Sequence, residues 1–326
     1  MLRSNRRVLC GIVVAVLLAG CGQSIGTSAV SPQSAGDARA TSSAGPLLYV
    51  VRKNAHEISM LSLSDYRLVG KIGGFHNVSG ICADASGNVW VTNYRHGGFS
   101  VDEFAHGGTQ VISELRAPKN WHLNGCAVDP TSGNLAAFGS DNYGGAWVLV
   151  WPGAQKGKPA QYQALCCAPI SAVYDTNGNL YVSGAPGGDD WYLIFGELAK
   201  GSAKFVYVKL DKPTYEPGAV QWDGTYVVVA TALSKRTRNA PRLYRLQING
   251  KSGHVVQVIE PESLAGDYGG GWSGSAVLFA LYGGTAIGVA STNHERFLAA
   301  WAYPNGGAIT ATVARYGDVG GLAVSP

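Results

Sequence analysis

"SGICADASGNVWVTNY", residues 79–94, decides the fold because the chain repeats it. Residues 124–139 read "NGCAVDPTSGNLAAFG" and residues 171–184 read "SAVYDTNGNLYVSG". Each copy sets an apolar run before an aspartate, a glycine shortly after it, and then a second apolar run. The aspartate accepts hydrogen bonds from the backbone of its own turn, and the glycine adopts the positive φ that closes the turn. β-Branched and aromatic residues in the second run build the next strand. Asp84, Asp129 and Asp175 are therefore read as turn-makers and not as catalytic acids.

Aligned on the aspartate, Asp84, Asp129, Asp175 and Asp223 are separated by 45, 46 and 48 residues. Periods in the forties with strand-like content predict the blades of a β-propeller. A fifth copy, "GSAVLFALYGGTAIGVAS" at 274–291, lacks the aspartate. The sixth is split between "GGLAVSP" at 320–326 and "LLYVV" at 47–51. Each copy is followed by a second hairpin, such as "FSVDEFAHGGTQVISEL" or "RLYRLQINGKSGHVVQVI". Both registers predict an all-β, six-bladed propeller over residues 46–326 with four-stranded blades. Pairing of the first strand with the last closes the ring and leaves no sheet edge open.

The preceding segment has another composition. Arg3, Arg6 and Arg7 lead into an apolar run from Val8 to Leu18, followed by Ala19, Gly20 and Cys21. That is the layout of a secretory leader, and the run is short for a membrane-spanning helix. "LAGC", residues 18–21, resembles the lipobox of bacterial lipoproteins. The resemblance implies a signal peptide over 1–20 and an acylated Cys21 that anchors an extracytoplasmic protein to a lipid bilayer. In a Gram-negative cell that bilayer is the outer membrane or the cell surface. Residues 21–45 are small and polar and read as a flexible tether. Losing the three leader arginines leaves 22 basic residues of the chain's 25 against 21 acidic ones. Net charge thus speaks against nucleic acid as a partner, and membrane association is expected from the lipid alone. A monomer is expected.

Four further cysteines, Cys82, Cys126, Cys166 and Cys167, fall in the propeller. An exported location permits disulfides, and four cysteines allow three pairings. Cys126 begins an inner strand, and Cys166 and Cys167 precede the inner strand of the neighbouring blade. A disulfide from Cys126 to one of them is the expectation, with buried free thiols as the alternative.

The repeat resembles the NHL, gluconolactonase and streptogramin-lyase group of β-propellers over Leu47 to Pro326. Gluconolactonases hold a divalent metal in the central funnel with a glutamate, two asparagines and an aspartate. The resemblance implies Asn124, in "NGCAVDPTSGNL", as a ligand of calcium or magnesium, with Glu216 in "YEPGAVQWDG" echoing the glutamate. Ser79-Gly80 stands at the place of the aspartate. A metal-dependent lactonase or lyase is the enzymatic reading that follows.

In a ring of this connectivity, loops entering the innermost strands and loops joining second to third strands gather on one face, here called the funnel face. His56, His76, His96, His122 and His294 fall there, and His106 and His254 on the other. The funnel-face loops carry Trp121, Trp191 and Trp272 for stacking, and Asn93, Asn124 and Asp141 for hydrogen bonds. His96, His122, His294 and Glu216 complete the candidate ligand-binding set. Aromatic rings beside carboxamides and carboxylates suit a sugar or another small polar molecule. The sequence holds no phosphate-binding glycine loop, zinc-protease histidine pair, nucleophile elbow or paired-cysteine zinc motif. No catalytic residue is assigned. The first reading is a binding module for a small polar ligand or a protein partner.

Overall fold

The computed structural model describes residues 45–52, 56–95, 97–165, 168–186, 192–231, 241–265, 277–292, 295–316 and 319–326. Cys21, the leader and all of the tether except Gly45 lie outside the described residues.

Strands β1 (Leu47–Arg52), β2 (Ile58–Ser62) and β3 (Leu68–Ile72) form the first blade, with β25 (Val319–Ser325) as its innermost strand. The second blade runs outward from β4 (Asn77–Ala83) through β5 (Val89–Arg95) and β6 (Gly98–Phe104) to β7 (Val111–Arg116). The third comprises β8 (Trp121–Val128), β9 (Leu135–Asp141), β10 (Ala146–Trp151) and β11 (Ala160–Gln163). The fourth comprises β12 (Ala168–Tyr174), β13 (Leu180–Ala185), β14 (Ile194–Leu198) and β15 (Val206–Tyr207). In the fifth, β17 (Pro217–Trp222), β18 (Val227–Thr231), β19 (Arg242–Asn249) and β20 (Ser252–Ile259) are joined by β16 (Lys209–Leu210). The sixth holds β21 (Phe279–Tyr282), β22 (Thr285–Thr292), β23 (Glu295–Ala302) and β24 (Gly306–Ala314). Neighbouring innermost strands touch all the way round, from β25 through β4, β8, β12, β17 and β21 back to β25.

The apolar runs require this arrangement. Alternate side chains of a strand face opposite ways, so "LLYVV" needs apolar cover on both sides. Leu47, Tyr49 and Val51 pack with Ile81, Val91 and Phe104 of the second blade. Leu48 and Val50 pack with Ile287, Val289 and Leu298 of the sixth. The other four blade interfaces are filled in the same way, and each fully buried Leu, Val or Phe contributes about 1.5–3 kcal/mol. β1 pairs antiparallel with β25, Leu47 opposite Ser325 and Val50 opposite Leu322, which is the predicted closure.

The aspartate turns also form as read. Asp84 Oδ1 accepts from the N–H groups of Ser86 and Asn88 at 2.8 and 2.9 Å, and Asp175 Oδ1 from those of Asn177 and Asn179 at 2.9 Å each. Gly178 closes its turn at φ +82°, and an added Cβ would also lie 3.2 Å from an Asp129 carboxylate oxygen. Next to the channel, glycine is needed for a different reason. A Cβ on Gly80 would lie 2.5 Å from the Asn124 carbonyl oxygen, because the innermost strands converge there.

Two features depart from expectation. β16 leaves the fourth blade and pairs parallel with β20, adding a fifth strand to the fifth blade. Asp211 fixes this strap: its N–H donates to the Gly253 carbonyl, and its Oδ1 accepts from the Val255 N–H at 2.9 Å. The second departure is the disulfide. Cys126 is joined to Cys82, whereas the sequence points it toward Cys166 or Cys167, both outside the described residues. Cys82 and Cys126 occupy near-equivalent places in consecutive copies, on innermost strands that run side by side, which brings their Cα atoms to 5.6 Å.

The crosslink spans 44 residues. Loop-closure entropy then assigns it about 4 kcal/mol, and removal of native disulfides costs about 2–5 kcal/mol. Cys82→Ala should lower the thermal midpoint by about 5–15 °C, read by calorimetry against the unaltered protein without reductant. An unchanged midpoint would mean that this bond does not form.

Candidate functional site

The channel at the ring axis is narrow. Its walls mix small residues such as Gly80, Ala127 and Ala172 with larger ones such as Phe138, Tyr174 and Leu278, enclosing about 200 Å³. Pockets for small molecules start at about 300 Å³, so the channel suits water and leaves larger ligands to the faces. Asn124 is exposed and lies on the channel wall, where its Nδ2 donates to the Pro169 carbonyl at 3.1 Å. Glu216 is buried immediately before β17 and is not part of that wall.

On the funnel face the third blade assembles several predicted residues. Trp121 and Asp141 stand opposite each other at the ends of β8 and β9. The Asp141 loop, "DNYGG", repeats the logic of the aspartate turns: Oδ1 accepts from the N–H groups of Tyr143 and Gly145 at 2.9 and 2.8 Å. Its Oδ2 accepts from the Trp147 indole at 2.9 Å. These bonds, the Gly145 N–H first, hold the Asp141 carboxyl below the usual carboxylate range. Asp141 thereby positions two rings. Trp147 lies against Trp121, with centroids 5.6 Å apart, and the loop lifts Tyr143 into solvent at 92% exposure.

The aromatic surface continues onto the second blade. His122 Nε2 and Asn142 Oδ1 are 2.9 Å apart, and the imidazole meets the Phe99 ring at 5.2 Å. Phe99 meets Tyr94 at 5.0 Å. Two ring groups, Trp121 with Trp147 and His122 with Phe99 and Tyr94, thus make a ledge of aromatic residues at the ends of two blades, and exposed Tyr143 stands on the Asp141 loop. Asn93 lies under its edge, fully buried. Its Nδ2 donates to the Asp102 carboxylate, which also accepts from Arg95 at 2.8 Å and Ser100 at 2.9 Å. Among the predicted residues, Trp121, His122 and Asp141 come together, while Asn93, Asn124 and Glu216 sit apart from them. His96, Trp191, Trp272 and His294 lie outside the described residues. Sequence reasoning missed Tyr94, Phe99, Tyr143 and Trp147. The signal was present in "SDNYGGAW", where a second aspartate-glycine turn brackets a tyrosine and precedes a tryptophan.

The opposite face holds a larger hollow of about 360 Å³ between the second and third blades, lined by Asp84, Trp90, Glu103, Asp129, Pro130 and Gly153 among others. Its carboxylates belong to the scaffold. Asp84 and Asp129 hold their own turns, and Glu103 accepts from Asn88 Nδ2 at 3.1 Å. Among the described residues no group of three or more His, Cys, Asp or Glu side chains could hold a metal ion. Burial, and then the charge of Asp84, push the Glu103 carboxyl up.

No protein-family model matches the chain, and no curated protein matches it in sequence. Similarity is found among solved structures. A protein of unknown function from Bacteroides caccae aligns with 86% of this chain and 99% of its own at 12% identity and a TM-score of 0.59. A functionally unknown protein from Desulfotomaculum acetoxidans aligns over 85% and 98% at 15% identity and a TM-score of 0.55. TolB from Acinetobacter baumannii aligns over 87% of this chain and 67% of its own at 13% identity and a TM-score of 0.59. Likeness at such identity carries the propeller fold and no activity.

A carboxyl raised in the folded state binds its proton more tightly there than in the unfolded chain, so ionised Glu103 opposes folding at neutral pH and acidification relieves that opposition. Glu103→Gln keeps the acceptor for Asn88 and removes the charge. Its thermal midpoint should exceed the parent's by about 1–2 °C at pH 7, the scale of a partly exposed charge. The difference should vanish as pH falls through the raised Glu103 value. A lower midpoint at pH 7 would contradict the repulsion from Asp84.

Proposed function

We propose that this protein is an extracytoplasmic lipoprotein, anchored through acylated Cys21, whose propeller binds a polar ligand on its funnel face. The observation that carries the binding reading is the ledge of Trp121, His122, Tyr143 and Tyr94 across the second and third blades. An almost fully exposed tyrosine, on the loop whose aspartate also holds one ring of a tilted tryptophan pair, presents an apolar ring face with a polar edge. A pyranose has the complementary character, with apolar C–H faces and hydroxyl edges, so a sugar is the ligand class that the ledge suits. The anchor rests on "LAGC" behind a basic and apolar leader. The same reading places the chain with the NHL, gluconolactonase and streptogramin-lyase group, supported by its recurring Asp-x-x-Gly-Asn turns. Within it the propeller serves as a receptor surface.

Two experiments test the two halves. Tryptophan emission should change saturably as mono- and oligosaccharides are titrated, since Trp121 and Trp147 lie at the ledge. Trp121→Ala and Tyr143→Ala should each weaken that binding about threefold to tenfold, the worth of one aromatic contact. Unaltered affinity in both variants would remove the ledge from consideration. Labelled palmitate fed to expressing cells should enter the parent protein and not Cys21→Ser. Equal labelling of both would end the anchor assignment.

A further inference from the structure

Three neighbouring turns of the propeller are uniformly basic. Turns joining the third and fourth strands lie on the face opposite the funnel, together with the aspartate turns. Gly153 N–H donates to Asn134 Oδ1 at 2.9 Å, and Lys200 N–H to Asn179 Oδ1 at 3.0 Å, which fixes that proximity in two blades. In the third, fourth and fifth blades these turns carry Lys156, Lys158, Lys200, Lys204 and Lys251, and no acidic residue. Lys209 adds a sixth at the start of the β16 strap, its N–H donating to the Lys251 carbonyl at 2.9 Å. All six are exposed, and among the described residues none forms an ion pair.

Asp84 and Glu103 line the hollow between the second and third blades, whereas the acids beside the lysine turns themselves are turned inward or paired. Asp129 and Asp175 are buried in their own turns, and Glu197 is buried beside Tyr181. Asp223 accepts from Arg245 at 2.8 Å, and Asp211 is bonded to His254. The outer turns of the third, fourth and fifth blades are therefore positive. The chain also joins the propeller on this face. Gly45 O is 3.2 Å from His106 Nε2, in the turn between β6 and β7, and Ser325 Oγ donates to the Gly87 carbonyl.

We propose that the lysine rim docks on an anionic lipid bilayer, turning the face that receives the chain toward the membrane and the funnel face away from it. This rests on the lipoprotein reading. Acyl chains on Cys21 supply retention, and the lysines supply orientation. A coil of the residues between Cys21 and Leu47 would span about 27 Å, enough to let any face of the propeller turn to the membrane. Each lysine held near an anionic surface strengthens the attraction about fivefold, within roughly a Debye length. The six lie in three consecutive blades, so they can approach one surface together.

The mature acylated protein is to be reconstituted on phosphatidylcholine vesicles with and without phosphatidylglycerol. Its amines are then labelled with an acylating reagent, and the labelled sites are quantified by mass spectrometry. Lys119, exposed in the funnel-face loop between β7 and β8, is the internal reference. The protein should float with both vesicles. On anionic ones, labelling of the six rim lysines should fall about threefold or more relative to Lys119, and about 1 M salt should restore it. Lys200→Glu/Lys204→Glu/Lys251→Glu should float as before and lose the protection. Equal labelling on both vesicles, with flotation intact, would overturn the docking and leave the anchor standing. Protection of Lys119 in place of the rim would overturn the orientation. Failure to float with either vesicle would overturn the anchor itself.

Discussion

Strand β1 has no side that faces water. Leu47, Tyr49 and Val51 enter the interface with the second blade, and Leu48 and Val50 enter the interface with the sixth. A sheet of such strands is stable only between two others, and satisfying every sheet at once requires a closed ring. The closing blade is completed by β25, so its innermost strand and the next strand outward come from opposite ends of the repeat array. Stability of the whole then depends on a pairing between residues separated by most of the chain. His106 reinforces this junction, with one ring nitrogen near the Gly45 carbonyl and the other bonded to Ser325.

Closure at six blades also determines where binding can occur. The innermost strands converge until a side chain would strike the neighbouring backbone at Gly80, and the remaining space is smaller than a typical ligand pocket. The faces are left to the loops. On the third blade one carboxylate organises such a loop: Asp141 forms the turn with one oxygen and holds the Trp147 indole with the other. A turn device that elsewhere only reverses the chain here also presents aromatic rings.

The architecture was legible because the repeat concentrates its information in a few positions. An aspartate followed by a positive-φ glycine has one economical backbone solution, and its recurrence at 45, 46 and 48 residues counts the blades. The strap was not legible, since two residues of β16 carry no periodicity and their pairing depends on Asp211 reaching Val255 from a distant segment. Cys126 was turned toward the wrong neighbour because an innermost strand has one on each side, and its position in the chain favours neither. The ledge was half legible. Trp121, His122 and Asp141 stood out by residue type, whereas Tyr94 and Phe99 belong to a different blade, and Phe99 meets His122 only through the side-by-side packing of blades.

Where the repeat restrains least, the two faces have diverged. Aspartate turns are held by their own hydrogen bonds and vary mainly in what the third strand sets beside them: Glu103 next to Asp84, Glu197 near Asp175 through Tyr181, and Arg245 against Asp223. Turns between third and fourth strands carry no such restraint, and in three consecutive blades they hold lysine. Loops between second and third strands are equally free, and in the third blade they hold aromatic residues. Net charge averages over these surfaces and so reports neither. A total of 25 basic against 21 acidic residues says nothing of the basic turns in three consecutive blades, where neighbouring carboxylates are drawn into turns and ion pairs while lysines stay exposed. Charge position, set by which hairpin turn bears the residue, is therefore the quantity that net charge leaves out.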